Sequence, residues 1–126
     1  MAPEFKNLTA AEARKFLAEQ PENSFLLLDV RQPAEYEVAH LPGARLLPLG
    51  QLEEAVDQLD KNLPVLTYCA LGGRSRVAAQ MLLSHGFREV YNLQGGIKAW
   101  QGETARGPVT LNLDLLPPEA TPTEAA

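Results

Sequence analysis

The chain has 126 residues, of which 45 % are apolar, and a formal net charge of −5 with a pI of about 5.0. That length suits one domain with one core. The negative balance argues against nucleic acid or an anionic membrane as partner, since both bind a basic face. One cysteine excludes an internal disulfide, and two histidines far apart, His40 and His85, offer no zinc-ligand spacing, so neither a metal nor another cofactor is expected. The chain start has no charged-then-apolar signal pattern, and no apolar run is long enough to span a bilayer. A cytoplasmic protein is expected, where a free thiol stays reduced.

Phe5 to Leu8 is a candidate short strand. Thr9-Ala10-Ala11-Glu12 is a capping box, so a helix should begin at about Ala10, with Ala13, Phe16 and Leu17 as its apolar stripe and Pro21 marking its end. Phe25 to Val30 is an almost unbroken apolar run, as in a central parallel strand buried on both faces. Asp29 and Arg31 at its end are the odd members. They should pair to fix the following loop; in a functional version Arg31, with Glu35, supports a catalytic loop. Pro33 suits the first position of a short helix, Ala34 to Ala39. His40-Leu41-Pro42-Gly43-Ala44 reads as a turn with a structural histidine, and Arg45 to Leu47 as a short strand. Leu52, Ala55, Val56 and Leu59 lie at helical spacing, leaving Glu53, Glu54 and Asp57 to solvent.

Val65 to Tyr68 is the next strand, and it ends at the only cysteine, Cys69. Ala70-Leu71-Gly72-Gly73-Arg74 follows as a loop. Ser75 should open a helix to His85, either capping it or hydrogen-bonding the Cys69 sulfur, with Gly86 just beyond its end. Glu89 to Leu93 is the last core strand, Gly95-Gly96 turns the chain, and a short helix carries Ala99 and Trp100. Beyond Gly107 the alternation of Val109, Leu111, Leu113 and Leu115 predicts an extended arm over 108–116. Pro117-Pro118 ends it, and a disordered Pro-, Thr- and Ala-rich tail follows. The expected division is a domain over 1–107 and the arm with its tail over 108–126. Strands alternating with helices imply an α/β open sheet.

A lone cysteine is more often a small buried hydrophobe than a nucleophile. Cys69 differs by position, at a strand tip before a glycine turn, where open parallel sheets bind their ligands. Glycines let successive N–H groups turn inward, and a helix start adds more, so the loop can cradle an anion. A thiol in that cradle should have a lowered pKa.

Cys69-Ala70-Leu71-Gly72-Gly73-Arg74-Ser75 resembles the active-site loop of rhodanese-like sulfurtransferases. Leu28-Asp29-Val30-Arg31 with Glu35, then His40-Leu41-Pro42-Gly43-Ala44, is similar to that family's upstream signature. Val90-Tyr91-Asn92-Leu93-Gln94-Gly95-Gly96, then Trp100, is similar to its downstream one. The resemblance runs from about Phe5 to Val109. It implies a rhodanese-like open five-stranded, mainly parallel sheet with helices on both faces. It also implies transfer of sulfane sulfur from a donor such as thiosulfate to cyanide or a thiol through a persulfide on Cys69. A sulfur-accepting protein is a further candidate partner. The substrate-binding residues would be Ala70, Leu71, Gly72, Gly73, Arg74 and Ser75, with Asp29, Arg31 and Glu35 in support.

Two rivals stand against this. Cysteine phosphatases and arsenate reductases resemble a pattern of cysteine, five residues, arginine; here four residues separate Cys69 from Arg74, a tighter cradle better suited to sulfur. A non-catalytic interaction module of the same fold is the other. One departure bears on substrate: some thiosulfate-handling members carry basic residues early in the loop, where this chain has Ala70 and Leu71.

Overall fold

The structure is a computed structural model that describes residues 4–107. The arm expected over 108–116 and the tail after it lie outside the described residues. Five strands and five helices alternate along the described chain: β1 (Lys6–Leu8), α1 (Ala10–Glu19), β2 (Leu26–Asp29), α2 (Pro33–Val38), β3 (Arg45–Leu46), α3 (Leu49–Ala55), β4 (Val65–Tyr68), α4 (Gly73–Ser84), β5 (Val90–Leu93) and α5 (Gly96–Ala99), with a 3₁₀ turn at Val56–Gln58 extending α3.

Local chemistry accounts for most boundaries. The Thr9 hydroxyl accepts from the Glu12 N–H at 3.1 Å and the Glu12 carboxylate accepts from the Thr9 N–H at 2.9 Å, so two donors at the start of α1 are satisfied reciprocally. Pro33 stands at the first turn of α2, where its missing N–H costs nothing. Gly86, at φ 99°, takes the left-handed position beyond α4. One expectation fails here: α4 opens at Gly73, not at Ser75, and its N-cap is Gly72 at φ 110°. Ser75 therefore sits inside the first turn and is not a cap. Its buried hydroxyl is engaged by the sheet below, which decides against a local capping bond.

All strand pairs are parallel, in the order β1-β5-β4-β2-β3. The two central strands, β2 and β4, are buried along their whole length. The chain crosses the sheet one way from β1 to β2 and the other way from β3 through β4 to β5. Right-handed crossovers then place helices on opposite faces. Two apolar clusters record this. On one face Leu26, Leu28, Val65 and Val90 pack under Leu52 and Val56 of the α3 segment and Ala78 and Leu82 of α4. On the other, Leu27, Leu66, Tyr68 and Leu93 pack with Ala13 and Phe16 of α1 and with Ile97 and Trp100. Strand order reverses direction between β2 and β4, and the crevice beyond their carboxyl ends is the place where an open α/β sheet binds its ligand. Cys69 lies there.

Candidate active site

Cys69 follows β4 directly. Residues 65, 67 and 69 share the face covered by α4, so the thiol points beneath the start of that helix. The residue is only 1 % exposed. Three donors or partners meet its sulfur: the Gly72 N–H at 3.0 Å, the Ser75 N–H at 3.4 Å, and the Ser75 hydroxyl at 3.4 Å. Burial pushes the thiol pKa up. The N–H groups of Ser75, Gly72 and Leu71 pull it down, and the net direction is down.

The loop carrying these donors is braced from below. The N–H groups of Ile97 and Lys98 donate to the carbonyls of Cys69 at 2.9 Å and Ala70 at 3.2 Å, so the backbone carbonyls turn away from the sulfur and the amides toward it. Gly96, at φ 64°, makes this approach possible: a Cβ there would lie 2.6 Å from the Cys69 carbonyl oxygen and on top of the Ala70 carbonyl.

Arg74 is held by Glu35 of α2. Its guanidinium forms a two-pronged pair with Glu35, Nη1 to Oε1 at 2.8 Å and Nη2 to Oε2 at 2.9 Å. Oε1 also accepts from the Gln32 N–H at 2.9 Å, so one carboxylate joins the start of α2 to the cysteine loop. Arg74 holds the Glu35 carboxyl down at about 2, and Glu35 in turn raises Arg74. The net charge that Arg74 presents to an incoming anion is correspondingly reduced.

Asp29 and Arg31 pair with each other rather than with the loop. Arg31 donates to both Asp29 oxygens, at 2.9 and 2.6 Å, and to the Ala39 carbonyl at 2.6 Å. Both are buried, and the guanidinium lies over the Tyr68 ring, 5.6 Å from its centroid. His40 is structural: its Nδ1 meets the Tyr36 carbonyl at 2.8 Å and its ring stacks on Tyr36 at 3.7 Å. Thus the structure brings Cys69, Gly72, Arg74, Ser75 and Glu35 into one site. Asp29 and Arg31 stand beside it, holding the crossover into α2. Ala70 and Leu71 form the outer lip, with Leu71 69 % exposed.

Sequence reading missed Asn92 and Thr67. Asn92 is buried on β5, accepts from the Ser75 hydroxyl at 2.5 Å, and donates to Asn7 at 2.9 Å. Thr67 donates to the Ser75 carbonyl at 3.0 Å. The available signal was a polar residue inside each of two otherwise apolar strands. Next to the loop, Asn7, Leu71, Gly72, Arg76, Asn92 and Gln94 line a cleft of about 370 Å³. A larger cavity of about 490 Å³, by Phe25, Leu26 and Leu63, lies at the opposite end of the strands, away from the cysteine.

A parallel five-stranded sheet with a cysteine cradled at the tip of its middle strand defines an open α/β fold with a candidate nucleophile at its ligand-binding edge. The model of the Rhodanese-like domain family matches residues 9–103, and the chain belongs to that family. Two Bacillus subtilis relatives are named "Uncharacterized protein YqhL", 46 % identical over 77 residues, and "Putative sulfur carrier protein YrkF", 39 % identical over 83 residues. These matches cover 61 % and 66 % of this chain but 61 % and 45 % of the two relatives, so the chain spans about half to three-fifths of their length. A Staphylococcus aureus rhodanese-like domain protein superposes with a TM-score of 0.72 at 27 % identity, covering 81 % of this chain and 98 % of that one. A thiosulfate sulfurtransferase from Pseudomonas aeruginosa gives a TM-score of 0.72 at 26 % identity, covering 88 % of this chain and 23 % of that one. Among the described residues, no helix is long and apolar enough to cross a membrane, and no cluster of His, Cys, Asp and Glu is placed to hold a metal ion.

Proposed function

We propose that this protein is a sulfurtransferase working through a persulfide on Cys69. The observation that carries this reading is the sulfur of Cys69 at a strand tip, facing the N–H groups of Gly72 and Ser75. The Cys69 thiolate attacks the outer sulfur of thiosulfate. The S–S bond of the donor breaks, its electron pair leaves on sulfite, and a Cys69 persulfide anion remains. A thiophilic acceptor, cyanide or a thiol, then attacks the outer sulfur. The acceptor takes that sulfur and the thiolate is restored, as in other covalent two-step catalysis. The inward N–H groups stabilise the anionic sulfur at each stage, and one well-aimed donor of this kind is worth about 3 kcal/mol. The names of the Bacillus sulfur carrier relative and the Pseudomonas sulfurtransferase support sulfur as the group handled. A cytoplasmic setting suits the free thiol, and a sulfur-accepting protein is a candidate partner at the exposed Leu71 lip.

Sulfur is favoured over phosphoryl transfer on two grounds. The loop has four residues between Cys69 and Arg74. Arg74, the cation a phosphatase would aim at a phosphoryl group, is engaged by Glu35. The test is intact mass after incubation with thiosulfate. One added sulfur atom is expected, removable by cyanide and absent in Cys69→Ser. No adduct would overturn the sulfurtransferase reading and leave a non-catalytic interaction module.

A further inference from the structure

The Ser75 hydroxyl has one hydrogen to give and three acceptors within reach. Asn92 Oδ1 lies at 2.5 Å, the Gly72 carbonyl at 3.3 Å, and Cys69 Sγ at 3.4 Å. The shortest contact is the strongest claim on the hydrogen, since hydroxyl donors favour roughly 2.7–2.8 Å and weaken beyond it. Asn92 is set up to make that claim. It is 1 % exposed, so water does not compete. Its Nδ2 donates to Asn7 Oδ1 at 2.9 Å, which leaves Oδ1 facing Ser75. The register places Asn7, Asn92 and Thr67 side by side on β1, β5 and β4, on the face under the first turn of α4. This polar row across three strands holds Ser75 at both its hydroxyl and its carbonyl.

With its hydrogen on Asn92, the Ser75 oxygen turns a lone pair toward the sulfur and accepts from the neutral thiol. The hydroxyl serves an ionised sulfur only by leaving Asn92, and Asn92 Oδ1 would then be a buried acceptor without a donor. We propose that Asn92 is a positioning residue for Cys69, which by holding the single hydroxyl hydrogen of Ser75 decides whether that hydroxyl supports the thiol or the ionised sulfur. Asn92 thus opposes the backbone cradle, and ionisation is left to the N–H groups of Gly72 and Ser75. The consequence for sulfur transfer rests on the proposed function; the effect on the thiol does not.

Charged groups around the loop are Arg74 and Arg76 on α4, Glu35 on α2, the Asp29–Arg31 pair at the end of β2, and Lys98 on α5; none of them hydrogen-bonds Asn92 or Ser75. The test is the pH midpoint of iodoacetamide alkylation of the full chain, which reads the thiol without requiring sulfur transfer. In Asn92→Leu the hydroxyl is released to the sulfur, and the midpoint should fall by roughly one pH unit, the value of one hydrogen bond to a charged group. In Ser75→Ala the sulfur loses only an acceptor for its weak S–H donor, so the midpoint should fall slightly, by less than about a third of a unit. The double variant should match Ser75→Ala. An unchanged midpoint in Asn92→Leu overturns the proposal, as does a fall that persists when Ser75 is also replaced. If Asn92→Leu does not fold, Ser75→Ala decides alone: a small shift upholds the proposal, and a rise of about one unit or more shows that the hydroxyl was already donating to the sulfur.

Discussion

Glu35→Gln separates the structural and electrostatic parts of the loop. The carboxylate makes two bonds to Arg74, at 2.8 and 2.9 Å, and its pKa is held at about 2. Without solvent screening that depression from 4.5 would be worth about 3 kcal/mol. The pair is roughly a third exposed, with side chains at 38 % and 35 %. Solvent screening therefore brings the contribution to about 1 kcal/mol, the upper end for an exposed pair, as its two-pronged geometry warrants. The pKa is lower in the folded state than in the unfolded one. The stabilisation is therefore fully present above pH ~4.5 and is lost as pH falls through about 2. Urea unfolding of wild type and Glu35→Gln measures this. The gap should be about 1 kcal/mol at pH 7 and should close between pH ~4.5 and 2. A gap equally wide at pH 7 and pH 2 would refute the electrostatic account and point to lost packing or to the Gln32 contact instead.

Arg74→Ala should leave the alkylation midpoint of Cys69 below the free-cysteine value of ~8.5 and within about half a unit of wild type, because the backbone N–H donors lower it while Glu35 offsets Arg74; a rise of a full unit would return the role to Arg74. Ala70→Lys, at the apolar lip, should lower KM for thiosulfate several-fold at low salt with little change in kcat, roughly 1 kcal/mol of uniform binding that shrinks as ionic strength rises; an unchanged KM at low salt, or a micromolar KM in wild type, would show that charge at the lip is not limiting. Gly96→Ala should cost at least about 2 kcal/mol in urea unfolding, since a Cβ would collide with the Ala70 and Cys69 carbonyls at a φ of 64°. Full stability in that variant would mean that α5 does not brace the loop as closely as drawn.

Much of the fold is written in short-range patterns. The Thr9–Glu12 capping box, the apolar runs of β2 and β4, the proline opening α2 and Gly86 closing α4 all act within a few residues, and a linear reading finds such features. The cysteine loop is legible for the same reason: strand tip, glycines and helix start are contiguous. Ser75 shows where that reading stops. Considered locally, serine is a better N-cap than glycine, so the helix was expected to begin there. Strand order puts Asn92 of β5 beside β4, and its amide takes the hydroxyl that a cap would have used. The Glu35–Arg74 pair joins residues 39 apart in sequence, and Asn7 supports Asn92 across 85. Gly96 is needed because Ala70 passes over it, a constraint set by neither residue's own neighbours. Sequence by itself determined the elements and the placing of Cys69 at a strand tip, because backbone propensity and apolar periodicity are local. Only the tertiary structure decided which side chains share the sulfur's surroundings, because pairing across strands depends on the order in which the chain crosses the sheet.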